Sequence, residues 1–377
     1  MNQLFTIEIA FFLMINPLKW SMKSNRWLVV NGSHHSGGLK MYYVIMKSHD
    51  IRENLATEQY LMNSKQFDEP LLLFYYEKPS VIVGRNQNTL EELNQKYVED
   101  HNIVVTRRLS GGGAVYHDLN NLCFSFVVDS DSEEFGDFKS FTQPIVDAIH
   151  TLGATSAEVS GRNDMLVDGK KFSGSAMYTR NGKTFSHGTL MLDVDMSVIP
   201  NVLNVPEDKI KSKGIKSVKS RVTNLRPYLD KKYQNLTVPE FRDILLTRLF
   251  GVDDVAEIKD KEYHVTPEDE VEIKKIYDDV YNNWDWVYGH SPEFTTKKRK
   301  HFDYGTIDAR FDVKEGKIVN VKFYGDFFGP KDVADVAGAL KGKPYTSAAI
   351  KDTLDAINTN EYFTNIPKDD VVNLLVP

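Results

Sequence analysis

One cysteine, Cys123, stands in 377 residues. That excludes an intramolecular disulfide and a cysteine-based zinc cluster. A basic excess is also missing: 46 lysines and arginines face 53 aspartates and glutamates, for a net charge of −7. General nucleic-acid binding usually leaves a basic footprint, so that class is set aside. The apolar run at residues 7–15 is broken by Glu8 and falls short of the ~20 residues a bilayer-crossing helix requires. No basic segment precedes it and no clean small-residue cleavage site follows, so a secretory leader is not supported. Internal repeats and low-complexity segments are absent too.

What remains is ordinary for a soluble enzyme: 41% apolar and 26% charged residues, in a chain long enough for roughly two domains. The small acidic excess suits the cytoplasm. Residues 1–40 look foreign to the rest, ending in a Gly/Ser/His spacer at 31–38, whereas Met41 opens a strand-like Met-Tyr-Tyr-Val-Ile-Met. The expectation is a native start at Met41 behind a non-native or upstream extension, 1–40.

The distinctive stretch is 106–118, Thr-Arg-Arg-Leu-Ser-Gly-Gly-Gly-Ala-Val-Tyr-His-Asp. Three glycines let the backbone turn sharply and approach a ligand, and successive N–H groups in such a turn make a nest for an anion. Arg107 and Arg108 add forked donors for phosphate or carboxylate. No Gly-Lys-Ser/Thr follows, so this is not a Walker loop. A strand follows where a dinucleotide fingerprint would start a helix.

Around it, strands and helices alternate. Helical spacing marks 50–63, and Thr89-Leu-Glu-Glu92 reads as a capping box opening a helix with Leu90, Leu93 and Tyr97 on its face. Alternation through 122–128 places Cys123 in a buried strand, packing rather than attacking a substrate. An amphipathic helix is expected from Phe138 to Leu152. Asp168-Gly169 and Asn181-Gly182 are preferred two-residue hairpin turns. Further helices are expected from Pro239, from Thr266-Pro267 and from Pro330, and others carrying Ile350, Leu354 and Ile357, then Val371, Leu374 and Leu375. The basic stretch 212–225 is either a solvated face or a lid over a polyphosphate. The expected fold is α+β: a mixed, mainly antiparallel sheet with packed helices over 41–289, a boundary at Gly289-His-Ser-Pro292, and a small α+β domain over 290–377.

Six more stretches join the glycine loop in order: Gly84-Arg-Asn-Gln-Asn88, Gly161-Arg-Asn-Asp164, Gly169-Lys-Lys-Phe-Ser-Gly-Ser-Ala176, His187-Gly-Thr-Leu190, 212–225 and 284–294. From Met41 to the C-terminus the chain resembles the lipoate–protein ligases of the bacterial two-domain type, whose catalytic domain has the biotin/lipoate ligase-like fold. Two departures are Leu119-Asn120-Asn121, where the family usually has Gly-Asn after His-Asp, and the N-terminal extension.

The resemblance implies ATP-dependent joining of lipoate, through lipoyl-adenylate, to a lysine of lipoyl carrier domains. Those carriers are the 2-oxoacid dehydrogenase E2 subunits and the glycine-cleavage H protein. Carboxylate and ATP are both anions, so the reaction calls for cations and N–H donors rather than an enzyme nucleophile. The family's essential lysine falls at Lys171. Arg108, Gly113, Ala114, Val115, Tyr116, Lys171 and Ala176 fall at its ATP and adenylate contacts. Ser110, Gly111 and Gly112, with Lys171, would enclose lipoate, and His187 is placed to line the acyl pocket. Both His117 and His187 otherwise read as structural histidines. Asn163 and Asp164 are candidates to orient Lys171 or to hold Mg²⁺ through water, and the metal ligands stay unknown. The alternatives are an octanoyl- or lipoyl-transferase with a cysteine nucleophile, and a non-catalytic lipoyl-carrier binding protein.

Overall fold

The computed structural model describes residues 39–64, 67–129, 137–161, 163–204, 222–288, 296–314 and 316–376. Most of the expected extension, the basic stretch up to residue 221 and the expected boundary at 289–292 lie outside these. Leu39 donates its N–H to the Leu249 carbonyl at 3.0 Å.

The largest element is a seven-stranded sheet in the order β1-β2-β6-β10-β9-β8-β7. Its strands are β1 (Tyr42–Ile45), β2 (Leu71–Tyr75), β6 (Asn121–Asp129), β7 (Glu158–Ser160), β8 (Asp164–Val167), β9 (Lys170–Arg180) and β10 (Lys183–Met191). Only β1 and β2 run parallel; the other neighbours are antiparallel. A second sheet holds β3 (Ser80–Val83) between parallel β4 (Val104–Arg107) and antiparallel β5 (Val115–His117).

Strand β6 explains the layering. Leu122, Phe124, Phe126 and Val128 join a core with the helices Phe138–His150 and Val238–Phe250. The intervening Cys123 and Val127 join a different core with α1 (Ile51–Ser64). Alternate side chains of a strand point to opposite faces, so the sheet is covered on both. Burying each Val, Leu, Ile or Phe side chain contributes ~1.5–3 kcal/mol, and this double layer holds the site's strands rigid.

Local signals act as expected at several points. Asp168 and Gly169 take φ of 47° and 72°, and Asn181 and Gly182 take 52° and 71°, the left-handed pair a tight hairpin requires. Capping boxes close Thr237 with Glu240 and Thr266 with Asp269. Two expectations fail, and one strand was not foreseen. Thr89 caps nothing: its hydroxyl donates to the Val287 carbonyl and accepts from Arg107, so residues 89–92 form one turn and a separate helix spans Gln95–Asp100. The helix expected at Pro330 begins at Ala334, after Asp332 accepts from the Ala334 N–H. The strand Thr296–Phe302 went unread, because its Lys-Lys-Arg-Lys lacks an apolar alternation.

That strand is β11, which with β12 (Gly305–Lys314) and β13 (Lys317–Gly325) makes an antiparallel sheet. Its own core packs Phe311, Phe323 and Phe327 against Val336, Leu354 and Leu375 from the following helices and against Phe363 from a bend between them.

Candidate active site

The glycine loop is shaped from beneath by two buried arginines. Arg108 donates through Nη2 to the carbonyls of Gly111 (2.7 Å) and Gly113 (2.8 Å), through Nη1 to Ile82 O (3.1 Å), and through Nε to Ser110 Oγ (3.1 Å). Arg107 cages the carbonyls of Gly84, Arg85 and Gln87 and those of Trp286 and Val287. Burial lowers both guanidinium pKa values to about 10, which still leaves them charged at neutral pH. Arg107 therefore clips two motif segments together instead of facing a ligand. Gly84 is required for the same packing: a Cβ there would lie 1.9 Å from the Gly112 carbonyl oxygen. Gly112 adopts φ of 92°, while Gly113 opens onto free space. Beyond it Ala114 and Val115 are half-buried, and burial pushes the Tyr116 phenol up to about 12.

A bulge aims Lys171. Asp164 pairs with Gly174 and Met165 with Ser173, but Leu166 pairs with Lys171, leaving Phe172 as the extra residue. Ladder partners share a face, so the shift puts Lys171 on the face of Asp164 and Gly174. Ala176 follows on that face, paired with His187. The sequence-derived Lys171, Ala176 and His187 thus come to one side of the sheet. Lys171 Nζ meets Asp164 Oδ1 at 2.6 Å, and both side chains are over a third exposed. Its stem folds across Gly174, where a Cβ would sit 2.8 Å from Nζ. Thr223 N–H donates to the Lys171 carbonyl, so the described chain resumes beside the lysine after the basic stretch. Asn163 is fixed by its side-chain amide on Ser175 O.

Ser110 and His187 are joined to a residue the sequence reading missed. Ser110 Oγ lies 2.7 Å from His187 Nε2, and His187 Nδ1 lies 3.1 Å from a carboxylate oxygen of Glu58. All three are buried. The pattern is satisfied when His187 carries its proton on Nδ1, donates to Glu58 and accepts from Ser110. Glu58 sits within α1 on the stripe of Leu55 and Met62; an acidic residue on an apolar stripe was the available signal.

The C-terminal sheet unit reaches the loop as well. A Cβ on Gly111 would meet Phe327 O at 2.5 Å, and one on Gly112 would meet the Phe328 ring at 3.1 Å. Gly325 N–H donates to Asn86 O, Arg85 pairs with Asp332, and Arg310 grips Glu91 through two hydrogen bonds. His117 is elsewhere, with Glu77 and Cys123, so it takes no part in the glycine-loop chain. Burial, then Glu77, raises the Cys123 thiol well above its usual range. Such a thiol is a poor nucleophile.

Residues 50–250 match the lipoyl protein ligase A/B catalytic domain family, and 291–375 match the bacterial lipoate protein ligase C-terminus. The chain is 48% identical to lipoate-protein ligase LplJ of Bacillus subtilis (strain 168), over 86% of this chain and 97% of that protein. Among solved structures, it superposes with TM-score 0.57 and 28% identity on a bi-partite lipoate protein ligase system of Thermoplasma acidophilum, described with its E2 lipoyl domain, covering 70% of this chain and 100% of that one. It does so with TM-score 0.54 and 26% identity on a lipoate-protein ligase A bound with ATP, covering 67% and 99%. Together with a glycine loop pinned by arginine and a lysine turned onto the sheet face that bears His187, these matches place the chain in the lipoate–protein ligase family.

Proposed function

We propose that this chain uses ATP to attach free lipoate to a lysine of lipoyl carrier domains, in two steps at one site. First a lipoate carboxylate oxygen attacks the α-phosphorus of ATP, the bond to the β-phosphate oxygen breaks, and pyrophosphate leaves. The carrier's lysine amine then attacks the acyl carbonyl of lipoyl-adenylate, forms an amide, expels AMP and gives up a proton. The single observation that carries this reading is the bulge at Phe172, which turns Lys171 onto the face that bears His187 beside the glycine loop.

The geometry supports the following roles. Lys171 is the mobile cation: half-exposed and held by Asp164, it can swing to the carboxylate and α-phosphate and lower their mutual repulsion. Ser110 and Gly111–Gly113 offer N–H groups to the acyl carboxylate, with Gly113 to Tyr116 and Ala176 alongside the nucleotide. Arg108 acts first by holding this loop, since four of its donor contacts are to protein, and contacts a phosphate only as loop carbonyls release it. His187 and Glu58 brace Ser110 at the acyl pocket. Mg²⁺ would ride on the ATP phosphates, with Asp164 the carboxylate nearest Lys171 to receive it.

E2 subunits of 2-oxoacid dehydrogenases and the glycine-cleavage H protein are the proposed carriers, and the cytoplasm the proposed compartment. Among the described residues no helix is long and apolar enough to cross a membrane. A transferase working through cysteine is disfavoured by the burial of Cys123. A passive carrier-binding protein needs no poised lysine. The test is incubation with ATP, lipoate and a lipoyl domain: the domain should gain one lipoyl group, with AMP and pyrophosphate formed. Transfer from an acylated carrier without ATP would overturn the reading.

A further inference from the structure

Among the described residues, one further group of ligand-type side chains converges outside the glycine-loop chain. Glu77 follows β2, His117 ends β5, and Cys123 lies in β6; all three are buried and their donor atoms lie within 4.8 Å of one another. Cys123 Sγ is 3.6 Å from both Glu77 Oε1 and His117 Nδ1. Around a tetrahedral zinc, a sulfur ligand and a nitrogen or oxygen ligand sit ~3.5 Å apart. Two of the three edges already have that length. The third, His117 Nδ1 to Glu77 Oε1, is a direct 2.5 Å hydrogen bond and would open to ~3.4 Å about an ion.

Among the described residues, the polar accounting around this group is incomplete. Glu77 is fully buried, yet one carboxylate oxygen has only the thiol, at 4.0 Å. Asn121 presses its side-chain nitrogen to the sulfur at 3.2 Å, and its Oδ1 is buried without a partner. Nitrogen and oxygen of an amide exchange places by a flip about its last torsion. His117 Nε2 is also buried without a partner, so it can carry the ring proton while Nδ1 binds. Buried polar groups left unpaired are uncommon and ask for an explanation.

We propose that Glu77, His117 and Cys123, with a flipped Asn121 as fourth donor, form a structural site for one zinc-type divalent cation. The thiol loses its proton to solvent and binds as thiolate, the carboxylate binds as anion, and the imidazole and amide bind neutral. The two negative ligands neutralise the ion, as a buried site requires. A thiolate and an imidazole select zinc over magnesium or calcium. The lone cysteine excludes a multi-thiolate cluster but not this mixed set. The ion would fasten the end of β5 in the small sheet to β6 in the large one.

The experiment uses the full chain, grown with added zinc and measured for metal as purified. The protein is then stripped with chelator and titrated with cobalt(II) chloride. One zinc per chain is expected, and one cobalt giving thiolate charge-transfer absorption in the near ultraviolet. Cys123→Ser should lose that absorption and His117→Gln should weaken cobalt binding at least tenfold, both folded by circular dichroism. Purified protein without zinc that also shows no charge transfer on titration overturns the proposal. So does cobalt bound without sulfur, or a signal that survives in Cys123→Ser.

Discussion

Glu58 and His187 are 129 residues apart in sequence and meet with 3.1 Å between carboxylate oxygen and Nδ1, both buried. The contact ties α1 to β10, and through Nε2 it reaches the serine that opens the glycine loop. A helix with no loop or motif of its own thereby helps to fix the start of the glycine loop.

Removing that carboxylate should be felt in binding before chemistry. Glu58→Ala leaves a buried imidazole N–H unpaired, at a cost of ~1–3 kcal/mol. The expected result is a lower melting temperature and a lipoate KM raised ~10-fold with a smaller change in kcat, about 1.4 kcal/mol of binding. Glu58→Gln, which keeps an acceptor, should recover most of both. Melting curves and lipoate titrations of the two variants check this; equal KM values in Glu58→Ala and the unaltered protein would refute it.

Two glycines of neighbouring motifs should respond oppositely to one added methyl. Gly84→Ala drives a Cβ into the Gly112 carbonyl, so ~1–3 kcal/mol or more of stability should be lost with activity. Gly113→Ala meets nothing within 4 Å, so its melting should stay within ~0.5 kcal/mol of the unaltered protein. Its ATP KM should nevertheless rise, because the methyl enters the open side of the loop. Denaturation and ATP titrations of the pair provide the comparison.

Acid should loosen the hold of the C-terminal unit. The Arg310 hydrogen bonds keep the Glu91 carboxyl below its ordinary value of about 4.5. A carboxylate whose folded pKa is depressed adds stability above its unfolded pKa and loses it as pH falls through the folded one. The contribution is therefore complete above about pH 4.5 and declines below it. Glu91 is half-exposed, so after solvent screening the pair is worth ~1 kcal/mol at most. Glu91→Gln should melt slightly lower at pH 6 and converge with the unaltered protein under acid. Parallel curves at all pH values would count against it.

Alkylation should spare the reaction. With its thiol buried and its pKa raised, Cys123 should resist iodoacetamide at neutral pH, leaving mass and adenylation unchanged. Inactivation accompanied by a single added carbamidomethyl group would revive the cysteine transferase.

Legibility in the sequence followed the range of the interactions. The hairpins at 168–169 and 181–182 were legible because their φ values are a local property of Asp-Gly and Asn-Gly. The buried strand around Cys123 was legible from alternation. Arg107 was read as a ligand donor and proves to be a clip, since no local pattern tells that five backbone carbonyls will surround it. The bulge that aims Lys171 depends on β8, and Glu58 on a strand far along the chain. Phe328 covers the glycine loop from a unit assigned its own core. Apart from the acidic residue on the apolar stripe at Glu58, these long-range contacts leave no local signature.

The central claim is that Lys171 promotes adenylate formation at this loop, and lipoate-dependent exchange of pyrophosphate into ATP, without carrier, tests it most directly. Lys171 is half-exposed and its Asp164 pair is worth at most ~1 kcal/mol, so Lys171→Ala should fold normally. The unaltered protein should exchange, and Lys171→Ala should fall at least ~100-fold. No exchange by the folded protein, or undiminished exchange by a folded Lys171→Ala, would contradict the account.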